Sequence, residues 1–323
     1  MRGLVAFFFL CVVAGSAQAA PAGHWTAGTP LPLARSETSV AAIGTRIYVV
    51  GGYAPAGSHP IVLEASGHAD VDSPLCQVYE TTTRHWSDCA PLPRGMNHVG
   101  LTAYGGKLYA FGGFVQQNRS PVADANVYDP ATDRWSPIAP APRPLGSISV
   151  ATVGDKIHLV GGRDVHSVQA HYIYDPATNS YSEAALLPTG RDHMGLAAYD
   201  GHLYAMGGRV DDFGHNVSNC DVYDRGSDSW SPCPEMPSRR SGMAVAVYRG
   251  RIFAVGGERA GGTFTNNEAF DPEKNAWSMF APLPQGRHGT GAAVVGDRLY
   301  VPAGAPLNGG SRQSDTLYEF TLP

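Results

Sequence analysis

The chain of 323 residues is 43% hydrophobic and 16% charged, with a formal net charge of -5. That balance suits an ordinary folded domain and argues against a nucleic-acid partner, which requires a cationic face. With 39 glycines and 25 prolines, turns must be frequent.

The first segment, residues 1–19, carries Arg2, an apolar run from Leu4 to Val13, and Ala17 and Ala19 around Gln18. This is the layout of a cleavable secretory signal. The run is too short to span a bilayer, and Leu10 stands before Cys11 where a lipoprotein signal needs a small residue. A soluble secreted or periplasmic product covering residues 20–323 is expected, without a membrane span. His24 and Trp25 then open the mature chain with the phrase of a fourth strand that lacks its first three.

From there one unit recurs. Its anchor is a glycine pair at 51–52, 112–113, 161–162, 207–208 and 256–257, with Ala303 and Gly304 as a degenerate sixth. Successive separations are 61, 49, 46, 49 and 47 residues, a repeat period near 50. Each pair closes an alternating segment such as Lys107 to Phe111 or Arg251 to Val255, which reads as a half-buried strand. A small-residue apolar strand precedes it across a tight glycine turn, as at Gly105–Gly106 or Asp200–Gly201. A third strand ends at Val127–Tyr128 or its equivalents, a turn such as Asp129–Pro130 follows, and a fourth strand starts at Trp86, Trp135, Tyr181, Trp230 or Trp277. Four strands per unit and six units predict an all-β, six-bladed propeller forming one domain.

The glycine pair, the Tyr before Trp and the period resemble the kelch-repeat family across nearly the whole mature chain. The C-terminus stops after Leu317–Phe320, a third strand without its fourth. Trp25 is therefore expected beside that strand in the sixth blade, sealing the ring and removing an open edge.

Loss of the leader removes Cys11 and leaves Cys76, Cys89, Cys220 and Cys233, two pairs each 13 residues apart in equivalent repeats. If Tyr79 faces Trp86 and Tyr223 faces Trp230 in antiparallel hairpins, Cys76 must face Cys89 and Cys220 must face Cys233. Disulfides are expected there, each contributing roughly 2–3 kcal/mol.

Sixteen residues before each glycine pair stand Arg35, Met96, Leu145, Arg191, Arg240 and Arg287. The next two positions add Glu37, His98, Asp192, His193 and His288, and the position after the pair adds Tyr53, Phe114, Arg163, Arg209 and Glu258. All should gather at one mouth of the channel. Two readings of the arginines stay open: bonds to loop carbonyls within the scaffold, or a convergent anion clamp. Kelch domains that bind acidic peptides have arginines at this repeat position. The resemblance thus implies ligand roles for Arg191, Arg240 and Arg287; Arg35, Glu37, His98, Arg163 and Arg209 are ligand candidates by their repeat positions at the same mouth. The long connection over residues 53–75, carrying His59, Glu64, His68, Asp70 and Asp72, should rise beside the same mouth as a solvated lid. Its spacing matches no calcium loop, and no metal or cofactor is expected.

The leading expectation is a monomeric secreted propeller that binds an acidic sugar or acidic protein segment without catalysis. A second reading starts from Glu258–Gly262 and Gln285–Arg287, which are similar to phrases in the sialic acid mutarotases. That resemblance implies an acid and a base, for which Glu258, His193, Asp192 and His288 are the candidates. A third is a protein-interaction scaffold. A copper radical site of the kind found in some kelch oxidases needs a free cysteine, and none remains. Asn118 and Asn216 head sequons that matter only in a eukaryotic secretory route.

Overall fold

In the computed structural model, which describes residues 22–62, 70–310 and 312–323, backbone pairing produces six four-stranded antiparallel sheets. The expected leader lies outside the described residues. Each sheet is one repeat. Blade 1 comprises Ser39–Ile43, Arg46–Val50, Cys76–Glu80 and His85–Cys89 from the axis outward. Blade 4 runs from Gly195–Tyr199 through His202–Met206 and Cys220–Asp224 to Ser229–Cys233.

Innermost strands are rich in small residues because six of them crowd one axis. A Cβ at Gly195 would lie 2.3 Å from Val245 of the next blade, so even alanine would collide there. The apolar second and third strands have no common centre to fill. They pack instead between neighbouring blades, in separate clusters such as Val160, Leu187, Leu203 and Tyr223 between blades 3 and 4. A chain larger than one ordinary core thereby distributes its burial around a ring.

His24–Ala27 pairs antiparallel with Leu317–Thr321 and supplies the outer strand of blade 6, with Trp25 opposite Phe320. The two rings lie 4.9 Å apart. The Trp25 indole also donates to the Ala281 carbonyl of blade 5 at 2.8 Å. Every blade repeats this bond: Trp86 donates to Thr29, Trp135 to Ala90, Tyr181 to Ala139, Trp230 to Ala185 and Trp277 to Pro234. The recurrent aromatic residue is thus the bolt between successive blades.

The glycine pairs explain themselves at the opposite end of the strands. A Cβ on Gly112 would stand 2.2 Å from the Leu145 carbonyl oxygen of the next blade. That approach lets Gly113 donate its N–H to Leu145 at 2.9 Å, and the same bond closes the ring where Gly304 donates to Arg35. Both cysteine pairs are disulfide-bonded in the expected register, Cys76 to Cys89 and Cys220 to Cys233.

Candidate functional site

Just before each innermost strand the chain arrives from the mouth and turns sharply down the channel wall. The turning residues are Glu37, His98, Ser147, His193, Gly242 and Gly289, with φ of 52°, 52°, 52°, 52°, 63° and 63°. Glycine adopts this left-handed conformation freely, whereas the other residue types incur roughly 1–2 kcal/mol each. Blades 1–4 nevertheless keep a side chain at this position. Backbone bonds link the turns into a collar: His98 N–H to Glu37, Ser147 to His98, Gly242 to His193, Gly289 to Gly242, and Thr38 to Gly289.

The collar side chains meet near the axis. Glu37 Oε2 lies 2.9 Å from His98 Nε2, and the His98 and His193 rings are 4.6 Å apart. Each imidazole is held from behind by its preceding residue: His98 Nδ1 bonds Asn97 Oδ1, and His193 Nδ1 bonds Asp192 Oδ1. Arg209 then ties the cluster together. Its Nε donates to Asp192 at 3.1 Å, Nη1 to Glu258 at 2.8 Å and Nη2 to His193 Nε2 at 2.9 Å. Because His193 Nε2 accepts, its proton resides on Nδ1, facing Asp192. Burial, aided by the Arg209 charge, pushes the His193 pKa down to about 4, so the ring is neutral at pH 7. For Asp192 burial acts the other way, but His193, Arg209 and the Ser167 hydroxyl outweigh it and hold the carboxylate ionised. Glu37 is likewise held low, against its own burial, by His98 and His288.

Above the collar opens a cavity of about 340 Å³. Its floor is Glu37, His98, His193, Arg209 and Glu258; its walls are Tyr53, Asp70, Gln117, Asn118, Phe213 and the Gly309–Gly310 backbone. Glu258 is fixed by Arg209 and by the Gly309 N–H at 2.9 Å. Gln116, Gln117 and Asn118 are three consecutive left-handed residues, with φ of 55°, 54° and 71°. Such strain is commonly held at functional sites. The buried Asn118 Oδ1 has no hydrogen-bond partner among the described residues. The long connection forms a hairpin beside the mouth, Tyr53–Pro55 against Asp70–Asp72, with Asp72 accepting from Asn97 at 2.6 Å. Of its residues, Asp70 lines the cavity and His59 faces Asp88 at 3.8 Å; Glu64 and His68 lie outside the described residues.

The four expected anion-binding arginines are elsewhere. Arg35, Arg191, Arg240 and Arg287 are at most 1% exposed, and their side chains turn into their own blades. Arg35 bonds the carbonyls of Val49, Gly51 and Leu75 and the side chain of Gln77. Arg191 pairs with Asp221 at 2.7 Å, Arg240 with Glu268 at 3.2 Å, and Arg287 donates to Ala303 at 2.7 Å. The carbonyls that end the second and third strands need donors, and a buried guanidinium supplies several at once. All four are thus bonded within the scaffold, the first of the two readings the sequence left open. Arg163 sits at the edge of the mouth over Phe114. His288 is buried, its Nε2 2.8 Å from the Leu307 carbonyl and its Nδ1 3.5 Å from both Glu37 and Glu258.

Gln117, Asn118 and Phe213 were not singled out as ligand residues by the sequence, since loops of unequal length carry them. Asn118 was visible only as a sequon. Neither sequon is presented outward: Asn118 lines the cavity, and Asn216 donates to the Glu258 carbonyl at 2.6 Å.

Six radial sheets enclosing a polar, ligand-sized mouth define a six-bladed β-propeller. A family model described as the KLHDC2/KLHL20/DRC7 kelch-repeats domain matches residues 28–187, and the kelch-motif model matches residues 190–237 and 239–284. The chain belongs to the kelch-repeat family. Kelch-like protein terF of Aspergillus terreus (strain NIH 2624 / FGSC A1156) is 30% identical over 79 residues, 24% of this chain and 15% of that protein. The match thus spans far less than two thirds of that relative. The solved structure of YjhT superposes with a TM-score of 0.74 at 15% identity, covering 90% of this chain and 95% of that one, and shares the fold.

Proposed function

We propose that the mouth binds one monosaccharide-sized, polyhydroxylated ligand. The observation that carries this is the convergence of carboxylates, imidazoles and amides in one cavity of about 340 Å³ beside the half-exposed ring of Phe213. That volume is at the small end for ligand pockets, room for a single ring and not for an extended peptide. Glu37, Glu258 and Asp70 offer acceptors to hydroxyl protons, Gln117 and Asn118 offer both donors and acceptors, and Phe213 offers an apolar face to ring C–H groups. The Arg209 guanidinium has three of its five N–H groups committed inside the site, so it anchors a ligand carboxylate less well than the expected cluster of arginines. This shifts the favoured ligand from an acidic sugar towards a neutral one. The two disulfides suit an oxidising compartment, in keeping with secretion, and no helix among the described residues is long and apolar enough to cross a membrane.

Calorimetry with neutral hexoses, acidic monosaccharides and an acidic peptide tests this reading. Saturable binding of a sugar, lowered at least tenfold by Glu258→Gln and by Phe213→Ala, is expected. Binding of the peptide alone, or sugar binding indifferent to both changes, overturns it.

One observation favours a mutarotase as second reading: His98, paired with Glu37, and His193, backed by the buried Asp192, stand side by side on the cavity floor. Ring opening of a sugar needs a proton removed from the anomeric hydroxyl and one delivered to the ring oxygen. Magnetisation-exchange measurement of anomer interconversion, with no acceleration at high protein concentration, would retire it.

A further inference from the structure

The collar carries more coordinating power than the floor of a sugar pocket requires. Glu37, His98 and His193 each offer one ligand atom, and these atoms all lie within 4.8 Å of one another. The three side chains are buried, 6%, 5% and 4% exposed for His98, Glu37 and His193. Both imidazoles have Nδ1 tied back, to Asn97 and to Asp192, which turns Nε2 of each towards the axis. A carbonyl or carboxylate behind each histidine is the outer-shell arrangement that orients metal-binding imidazoles.

Two independent features point the same way. His98, His193 and Glu37 occupy left-handed backbone positions where blades 5 and 6 place Gly242 and Gly289, so the side chains are kept against conformational cost. Beside them, the buried Nδ1 of His288 has no hydrogen-bond partner among the described residues and faces Glu37 Oε1 at 3.5 Å. Two carboxylates, Asp192 and Glu258, flank the Arg209 guanidinium, while the third, Glu37, faces His98.

We propose that Glu37, His98 and His193 form a divalent transition-metal site at the floor of the mouth. Two imidazole nitrogens and one carboxylate oxygen suit zinc and its neighbours, whereas magnesium and calcium take oxygen ligands throughout. Bonds of about 2.0–2.1 Å in a tetrahedral site place ligand atoms ~3.3 Å apart, so modest rotations of the rings close the present spread. Arg209 Nη2 gives up His193 and keeps Asp192 and Glu258 through its other nitrogens. With three protein ligands the remaining coordination position opens to the cavity, where a sugar hydroxyl or water completes the set.

The experiment uses chelator-treated protein at pH 7.5 without sugar, so its outcome is independent of the sugar titration. Zinc is followed by calorimetry and cobalt by visible absorption. One equivalent per chain is expected, weakened at least tenfold by Glu37→Gln, His98→Gln or His193→Gln. The double variant His166→Ala/His215→Ala, which removes exposed histidines paired with Asp211 and Asp212, should bind as the native chain does. No saturable binding, binding indifferent to all three glutamine variants, or binding abolished by the surface pair overturns the proposal. Should the glutamine variants fail to fold, X-ray absorption of the native zinc complex decides: two imidazole ligands support the site, and one or none rejects it.

Discussion

At the scale of single residues, position within a repeat separates scaffold from site more sharply than residue type does. Arg191 and Arg209 belong to the same blade, yet one is locked against Asp221 beneath the glycine pair and the other spreads across the cavity floor. Removing Arg191 strands the Asp221 carboxylate, 9% exposed, without its cation. Arg191→Ala is therefore expected to cost about 3–5 kcal/mol in urea unfolding while leaving the affinity of the folded protein for its ligand unchanged. A loss below 1 kcal/mol in that measurement would mean that the carbonyls and Asp221 find other donors. Alignment of the repeats made the collar residues legible, because each occupies a fixed offset from its glycine pair. It could not tell that the arginine two residues earlier points away from the mouth, since the direction of a side chain depends on the twist of the blade it enters.

At the scale of elements, the bonds between blades are equivalent around the ring even though one outer strand comes from the other end of the chain. Trp25 and Trp135 make the same indole bond to the preceding blade, both at 2.8 Å. Trp25→Ala should accordingly destabilise the fold as much as Trp135→Ala, about 2–4 kcal/mol by chemical denaturation. A near-neutral Trp25→Ala beside a costly Trp135→Ala would show that the seam is loosely held. The cysteine pairs were fully legible because antiparallel register follows from sequence separation once one cross-strand partner is known. The hairpin of Tyr53–Pro55 and Asp70–Asp72 was not, since its pairing is decided by Asp72 meeting Asn97 of the next blade.

At the scale of the whole molecule, burial between blades makes stability depend on pH. His158 Nδ1 and His171 Nε2 lie 2.9 Å apart in the interface of blades 3 and 4, against Tyr223. Burial pushes their pKa values down to about 3 and about 4, with the pair also opposing each other's charge at His158. Unfolded histidine titrates near 6.5, so between about pH 6.5 and pH 4 the unfolded chain binds more protons than the folded one. Stability from this pair is complete above pH 6.5 and is lost as pH falls through that window, by on the order of a few kcal/mol. The melting temperature should fall between pH 7 and pH 5. The double variant His158→Leu/His171→Leu should flatten that fall, because Trp230 still satisfies the Ala185 carbonyl that His171 also bonds. An unchanged slope in the double variant would place the acid sensitivity elsewhere.

Local chemistry repeated at a fixed period was enough to determine the blades, their number and the cysteine pairing, because each depends on contacts within one repeat or between identical neighbours. The nature of the mouth was decided only in three dimensions. Its floor joins residues from blades 1, 2, 4 and 5, and its walls come from loops that share no length or pattern. Whether a charged side chain there meets a ligand, a neighbouring carboxylate or a strand-end carbonyl is a matter of direction and distance, which a one-dimensional period does not encode.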